Sequence, residues 1–327
     1  MGEFHEPKSI MFKIRNLEIK NRICVAPMAG ITDLPYRIIL KEMGAALMTT
    51  ELVSAKGIYY NNPGNATIMA TDKKEAPIAL QLFGSDPIIM SMVANKVKEP
   101  YDIIDINMGC PVLKVVRNGE GAALMKDESL AARIVETMVR VVNDKPITCK
   151  IRIGFDNKHI NAVSFAKALE SAGASAITVH GRTKAELYSG DVHRDVIKDV
   201  KSSVKIPVIA NGNIWTIDDA KTMLDETGAD AIAIGRAIKG NPWFVKECIE
   251  YIENGKRIER PTKDEIKKMM YRHVNDAISF KGEFTAISEL RHHIAWYTHG
   301  MQNSTKFRLA LNSATTKEAI TKLIDEL

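Results

Sequence analysis

Residues 205–237 read KIPVIANGNIWTIDDAKTMLDETGADAIAIGRA. Two short apolar, β-branched runs, Val208–Gly212 and Ala231–Gly235, flank one helical segment, Ile217–Thr227. Thr216 or Asp218 can offer a side-chain oxygen to the first free N–H groups of that helix, and Gly228 can supply a left-handed stop. Neither strand run alternates polar with apolar residues. Each is therefore expected to be buried on both faces, as in a parallel sheet.

The same alternation extends outward. Ile23–Pro27, Leu47–Glu51, Ile78–Leu82, Ile103–Met108, Thr148–Ile153 and Ala176–His180 read as strands, and Leu34–Met43, Ser129–Asn143 and Ala162–Ala172 as helices. Eight strands with intervening helices in about 250 residues predict an α/β fold, a (β/α)8 TIM barrel. A doubly wound open sheet is the alternative, but no GxGxxG follows the first strand. Near Asn241–Gly255 the pattern changes. Lys263–Phe280, Phe284–Tyr297 and Thr316–Glu326 read as amphipathic helices, with a shorter one around Lys306–Leu311, punctuated by Pro261, Gly282 and Gly300. The expectation is a barrel over 1–250 and a small helical bundle over 251–327, joined by Glu250–Pro261.

Composition narrows the function classes. Of 327 residues, 45% are hydrophobic and 26% charged, which is ordinary for a globular protein and excludes a disordered chain. No apolar run is long enough to span a bilayer. Met1–Ile19 is interrupted by charged residues and lacks the apolar core of a signal peptide, so a cytoplasmic protein is expected. The four cysteines form no CxxC pair and sit at no zinc-ligand spacing from histidine, so neither a disulfide framework nor a metal is expected. Residues 256–327 carry 13 Lys/Arg against 9 Asp/Glu, hence +4 of the net +5. A basic tail on a nearly neutral body fits a polyanionic partner, although a merely soluble helical domain fits the charge as well.

In a (β/α)8 barrel the chemistry sits at the C-terminal strand ends. The first strand ends in Ala26-Pro27-Met28-Ala29-Gly30, small residues that let a flat ligand lie on the backbone. Gln81 offers an amide to the edge of a pyrimidine-like ring. Asn107-Met108-Gly109-Cys110-Pro111 puts a thiol on the active face. A thiol of ordinary pKa, about 8.5, is protonated at neutral pH and can donate a proton. Cys24, Cys149 and Cys248 read as buried and inert. Lys150, inside an apolar strand, needs a partner: an anionic ligand, or a carboxylate such as Asp105. The loops after the last two strands, Asn211-Gly212-Asn213 and Gly235-Arg236, form the place where this fold holds a phosphate. Lys114 and Arg117 follow Cys110 on a loop suited to closing over a polyanion.

Together these segments, with Val179-His180-Gly181-Arg182-Thr183, Gly240-Asn241-Pro242-Trp243 and Arg291-His292-His293 in the tail, resemble the tRNA-dihydrouridine synthase family, nearest its B-type bacterial subgroup. The resemblance covers nearly the whole chain, and Asn-x-Gly-Cys-Pro is its most specific element. It implies FMN held by the backbone of Pro27, Met28 and Ala29, by Gln81 and Lys150 on the ring, and by His180. The phosphate would rest on Asn211, Gly212, Asn213, Gly235 and Arg236. Cys110 matches the catalytic acid, and Asn107 and Arg182 match positions facing the uracil or its phosphates. Where the family usually has aspartate, this chain has Asn213. The resemblance further implies NADPH or NADH as reductant and tRNA as partner of a monomer. The tRNA would be gripped through Lys114 and, in the tail, Lys267, Arg272, Arg291, His292 and Lys306. A flavin enzyme acting on a free pyrimidine, like dihydroorotate dehydrogenase, shares the barrel but does not need the basic tail. A non-catalytic RNA-binding protein is the other alternative.

Overall fold

A computed structural model of the chain describes residues 12–62, 64–302 and 304–327. Of the N-terminal stretch read for a leader, residues 1–11 lie outside the described residues. The eight expected strands are all present: β1 (Ile23–Val25), β2 (Met48–Thr49), β3 (Ile78–Phe83), β4 (Ile103–Met108), β5 (Ile147–Asp156), β6 (Ala176–Thr183), β7 (Val208–Asn211) and β8 (Ala231–Ile234). Each pairs in parallel with its chain neighbour from β2 to β8, and β8 pairs with β1. A parallel bridge between Cys24 and Leu47 joins β1 to β2, so the sheet closes. This is the α/β barrel expected from the apolar runs, and its strands are buried almost throughout.

The longer helices between strands are α1 (Leu34–Glu42), α2 (Pro87–Val97), α3 (Glu128–Val142), α4 (Ala162–Ser171), α5 (Arg194–Ser203) and α6 (Ile217–Thr227), with α7 (Trp243–Asn254) after β8. Thr216 caps α6 in a reciprocal box with Asp219, and Gly228 ends it at φ 66. The inside of the barrel is walled largely by small residues, including Ala26, Ala46, Ala79, Ala176, Ala231 and Ala233. An element with no signature in the sequence pattern fills it: an antiparallel hairpin, Phe12–Ile14 with Leu17–Ile19, whose Phe12, Ile14 and Ile19 pack into the same cluster. Three-residue strands are too short for their period to register in a sequence.

The tail forms α8 (Lys263–Lys281), α9 (Glu283–Tyr297), α10 (Ser304–Asn312) and α11 (Lys317–Asp325) around its own core. The last of the barrel-side helices, α7, runs past residue 250 and stops at Gly255 in the left-handed conformation. Its Phe244, Val245 and Cys248 belong to the barrel core, so the helix is the barrel's last element.

The two units meet through buried aromatic and ionic contacts. Tyr36 of α1 stacks on His273 of α8 with centroids 4.9 Å apart and meets His293 of α9 edge-on. Asp33 caps α1 through the Tyr36 N–H and also pairs with Lys281 at 2.8 Å. Burial raises the Asp33 carboxyl, but Lys281 outweighs it and holds the group below the usual range. Burial drives His273 down to about 3, so the stacked imidazole is neutral. Gly240, at φ +63, sits against the α9 backbone. A Cβ there would clash with Trp296 C and Tyr297 N. Backbone atoms cannot yield as a side-chain tip can, so Gly240→Ala is expected to destabilise the docked tail by about 1–3 kcal/mol. Faster proteolysis in the 255–262 connection would report this; unchanged cleavage and melting would refute it.

Candidate active site

The C-terminal mouth of the barrel holds a cavity of about 470 Å³, within the roughly 300–1,000 Å³ typical of small-molecule sites. One wall is the apolar backbone turn Ala26–Ala29 with Ile31. Side chains from β3 to β7 line another part, where residues two apart on a strand share a face: Gln81, Asn107, Lys150, Arg152, His180 and Asn211.

The polar residues are wired to each other. Gln81 donates to Asp105 Oδ2 at 2.7 Å and accepts from Asn107 Nδ2 at 2.8 Å. Thr148 Oγ1 donates to Asp105 Oδ1 at 2.6 Å. Burial outweighs these two donors and leaves the Asp105 carboxyl above its usual range. The Asn107 side-chain Oδ1 accepts from the N–H groups of Gly109 (3.1 Å) and Cys110 (2.8 Å). Asn107 thus shapes the loop that presents the thiol. Arg152 Nε completes that hold by donating to Gly109 O at 2.9 Å. Gly121, at φ +59, packs beneath: a Cβ would meet Cys110 O at 2.9 Å.

Burial raises the Cys110 thiol above its ordinary value, opposed by an N–H from Val112 and by Arg152 and Lys150. The sulfur is therefore a proton-bearing thiol at neutral pH and a poor thiolate. Cys24, Cys149 and Cys248 are buried, and none lines the cavity. Lys150 donates to Asn211 Oδ1 at 3.2 Å, so its partner within the protein is an amide and not Asp105. Burial, then the Arg152 charge, brings Lys150 down to about 8. It stays mostly charged at pH 7. Burial first, then the surrounding cations Lys150, Arg152, Arg182 and Arg236, keep His180 well below the usual range and neutral.

After β7 and β8 the backbone turns into a cradle. Gly212 has φ +130 and Asn213 φ 44. Asparagine tolerates the left-handed region better than most residues, so Asn213 keeps the turn without a carboxylate. Among the described residues, the N–H groups of Gly212, Asn213 and Gly235 meet no protein acceptor. Arg236 stands beside them, with Nη2 3.4 Å from Asn213 Oδ1. Free amides beside a guanidinium suit a phosphate.

Of the sequence-based candidates, Pro27, Met28, Ala29, Gln81, Asn107, Cys110, Lys150, His180, Asn211, Gly212, Asn213, Gly235 and Arg236 line this one cavity. Arg182, expected toward the substrate, does not. It is buried, donating from Nε to Ser189 O at 2.9 Å and from Nη2 to Gly190 O. The arginine on the cavity next to Cys110 is Arg152, whose two-residue spacing from Lys150 could have revealed it. Tyr188, Trp215 and Lys239 also line the mouth. They come from loops, where no period marks them. Lys114 is exposed on the short helix Leu113–Arg117, just past the cavity residue Val112. In the tail His292 and Lys306 are exposed. Arg291 bonds Asn312 O, Lys267 bonds Asp325 O, and Arg272 pairs with Glu42 across the domain junction. Among the described residues no group of three His, Cys, Asp or Glu could hold a metal, and no helix is long and apolar enough to cross a membrane.

Comparisons with known proteins bear on the fold and the family. The chain is similar in fold to histamine dehydrogenase from Rhizobium sp. 4-9, with TM-score 0.57 and 14% identity over 83% of this chain and 51% of that one. It is also similar to the old yellow enzyme of Trypanosoma cruzi, with TM-score 0.55 and 13% identity over 78% and 94%. It is 40% identical over 319 residues to a probable tRNA-dihydrouridine synthase of Rickettsia conorii, covering 97% of this chain and 96% of that one. Identity to tRNA-dihydrouridine synthase B of Pseudomonas aeruginosa is 36% over 302 residues, covering 92% and 91%. The family model described as dihydrouridine synthase (Dus) matches residues 24–326. The chain belongs to the dihydrouridine synthase family.

Proposed function

We propose that this protein reduces the C5–C6 double bond of a D-loop uridine in tRNA, with FMN as its bound redox cofactor. The observation that carries the reading is the placement of the Cys110 thiol and the Lys150 ammonium on one cavity with a phosphate cradle at its edge. The residues present fit FMN: an apolar backbone wall at Pro27–Ala29 for a flat ring, Gln81, Lys150 and His180 for its polar edge, and three uncommitted amides with Arg236 for its phosphate. When bound and reduced at the expense of NADPH or NADH, FMN supplies the hydride for uracil C6.

The chain's own residues do the rest. The Cys110 thiol gives its proton to uracil C5, which balances the hydride. Lys150, mostly charged at pH 7, stabilises negative charge at the ring edge. Asn107 and Arg152 hold the Gly109–Cys110 backbone so that the thiol faces the gap. A uridine reaches this depth only by leaving its stack, as in other base-modifying enzymes. Exposed Lys114, Lys306 and His292, with Arg291, would meet the phosphate backbone of tRNA, and affinity should fall as salt rises. The protein is read as a cytoplasmic monomer that uses no metal.

The expected result is that purified protein binds FMN and that tRNA from a deletion strain lacks one dihydrouridine, restored by the wild-type gene. Lys150→Ala should weaken FMN retention or slow its reduction. A protein with no affinity for FMN would end the reading. Reduction of free uracil or orotate without RNA would favour the small-pyrimidine alternative.

A further inference from the structure

Arg236 has an unusual setting for a cation next to a phosphate cradle. Its one side-chain hydrogen-bond partner among the described residues is the Asn213 amide, at the long limit of 3.4 Å. What borders it closely is aromatic: the guanidinium carbon lies 4.8 Å from the centroid of Trp215 and 5.3 Å from that of Tyr188. Both rings are about half exposed, which is a poor use of large apolar surface unless they hold something. Trp215 is itself fixed. It directly precedes the Thr216 cap of α6, and its N–H donates to Asp219 Oδ2 at 3.0 Å, the same oxygen that closes the capping box. The start of α6 therefore anchors the backbone from which the indole projects.

Resting on the FMN reading above, we infer that Trp215 is a positioning residue for phosphate recognition. Its indole, with the Tyr188 ring, holds the Arg236 guanidinium over the Gly212–Asn213 and Gly235 amides before ligand arrives. The physical reason is charge economy. A carboxylate could orient Arg236 equally well but would neutralise it and compete with the phosphate. A ring face orients the cation and leaves its charge free for an incoming anion. A free arginine also loses much rotamer freedom on binding, and a held one has less to lose.

This assigns Trp215 a role in discriminating phosphorylated from unphosphorylated flavin, which separates it from a merely structural residue. The full-length chain, freed of bound flavin, is titrated with FMN and with riboflavin, following flavin fluorescence. For Trp215→Ala, FMN affinity is expected to fall roughly 3- to 30-fold, with riboflavin affinity within about twofold of wild type and Trp215→Phe recovering most of the loss. An equal loss for both flavins, or none for FMN, would overturn the inference and leave the FMN reading standing. Failure of the wild-type chain to bind FMN would overturn both.

Discussion

Replacing Cys110 with alanine is expected to leave a yellow, flavin-binding protein that forms dihydrouridine roughly 10²- to 10⁴-fold more slowly, the usual contribution of a positioned general acid. The substitution is clean because everything that shapes the loop grips its backbone. Asn107 accepts from the Gly109 and Cys110 N–H groups, Arg152 donates to Gly109 O, and Cys110 O accepts from the Ala122 N–H at 3.0 Å. Only the sulfur and its proton are lost. The pH dependence has a definite sign. Burial raises the thiol, so the acid form persists through neutral pH, and its proton should be lost only on the alkaline side, above the ordinary thiol value of about 8.5. Lys150, brought down to about 8, loses its charge in the same direction. Turnover of the alanine variant at the wild-type rate would assign the proton to another donor.

The largest effect on stability is expected at Glu75→Ala. Glu75 and Arg37 are fully buried and paired at 2.6 Å. The Glu75 carboxylate also accepts from Thr71 Oγ1 at 2.8 Å and from the Asp72 N–H at 3.0 Å. Arg37 spends its remaining donors on Thr32 O (2.9 Å) and Ala70 O (2.7 Å). Together they bind α1 to the segment leading into β3, just below the loop that walls the cavity. Removing Glu75 strands a guanidinium without its counter-charge in the interior, at a cost of about 3–5 kcal/mol. Replacing both partners by apolar residues of similar size, as in Arg37→Met with Glu75→Leu, should be far milder, because no charge is then left buried. Denaturant unfolding of the single and double variants measures the contrast. A double variant as unstable as Glu75→Ala would mean that packing, and not the stranded charge, sets the cost.

The barrel was legible in the chain because strand burial on both faces writes itself as uninterrupted β-branched runs, and eight of these recur between capped helices. Most of the site was legible for a topological reason. A closed parallel barrel brings every strand's C-terminal end to one mouth, so position along a strand is enough to gather Gln81, Cys110, Lys150, Asn211 and Arg236 from across 155 residues of chain. Direction and partnership were not. Arg182 and Arg152 are both strand-end arginines, and only packing decides that one turns under the Ser189–Gly190 loop while the other holds the thiol loop. Asn107 lines the cavity as its strand position implies, and only the fold shows that its amide also joins Gln81 to the Cys110 backbone. The N-terminal hairpin, the Tyr36–His273 stack and the rings around Arg236 depend on partners distant in sequence or on loops without a period. Local patterns carry burial and backbone conformation. Hydrogen-bond partners are selected only once the closed sheet has set which side chains share a cavity.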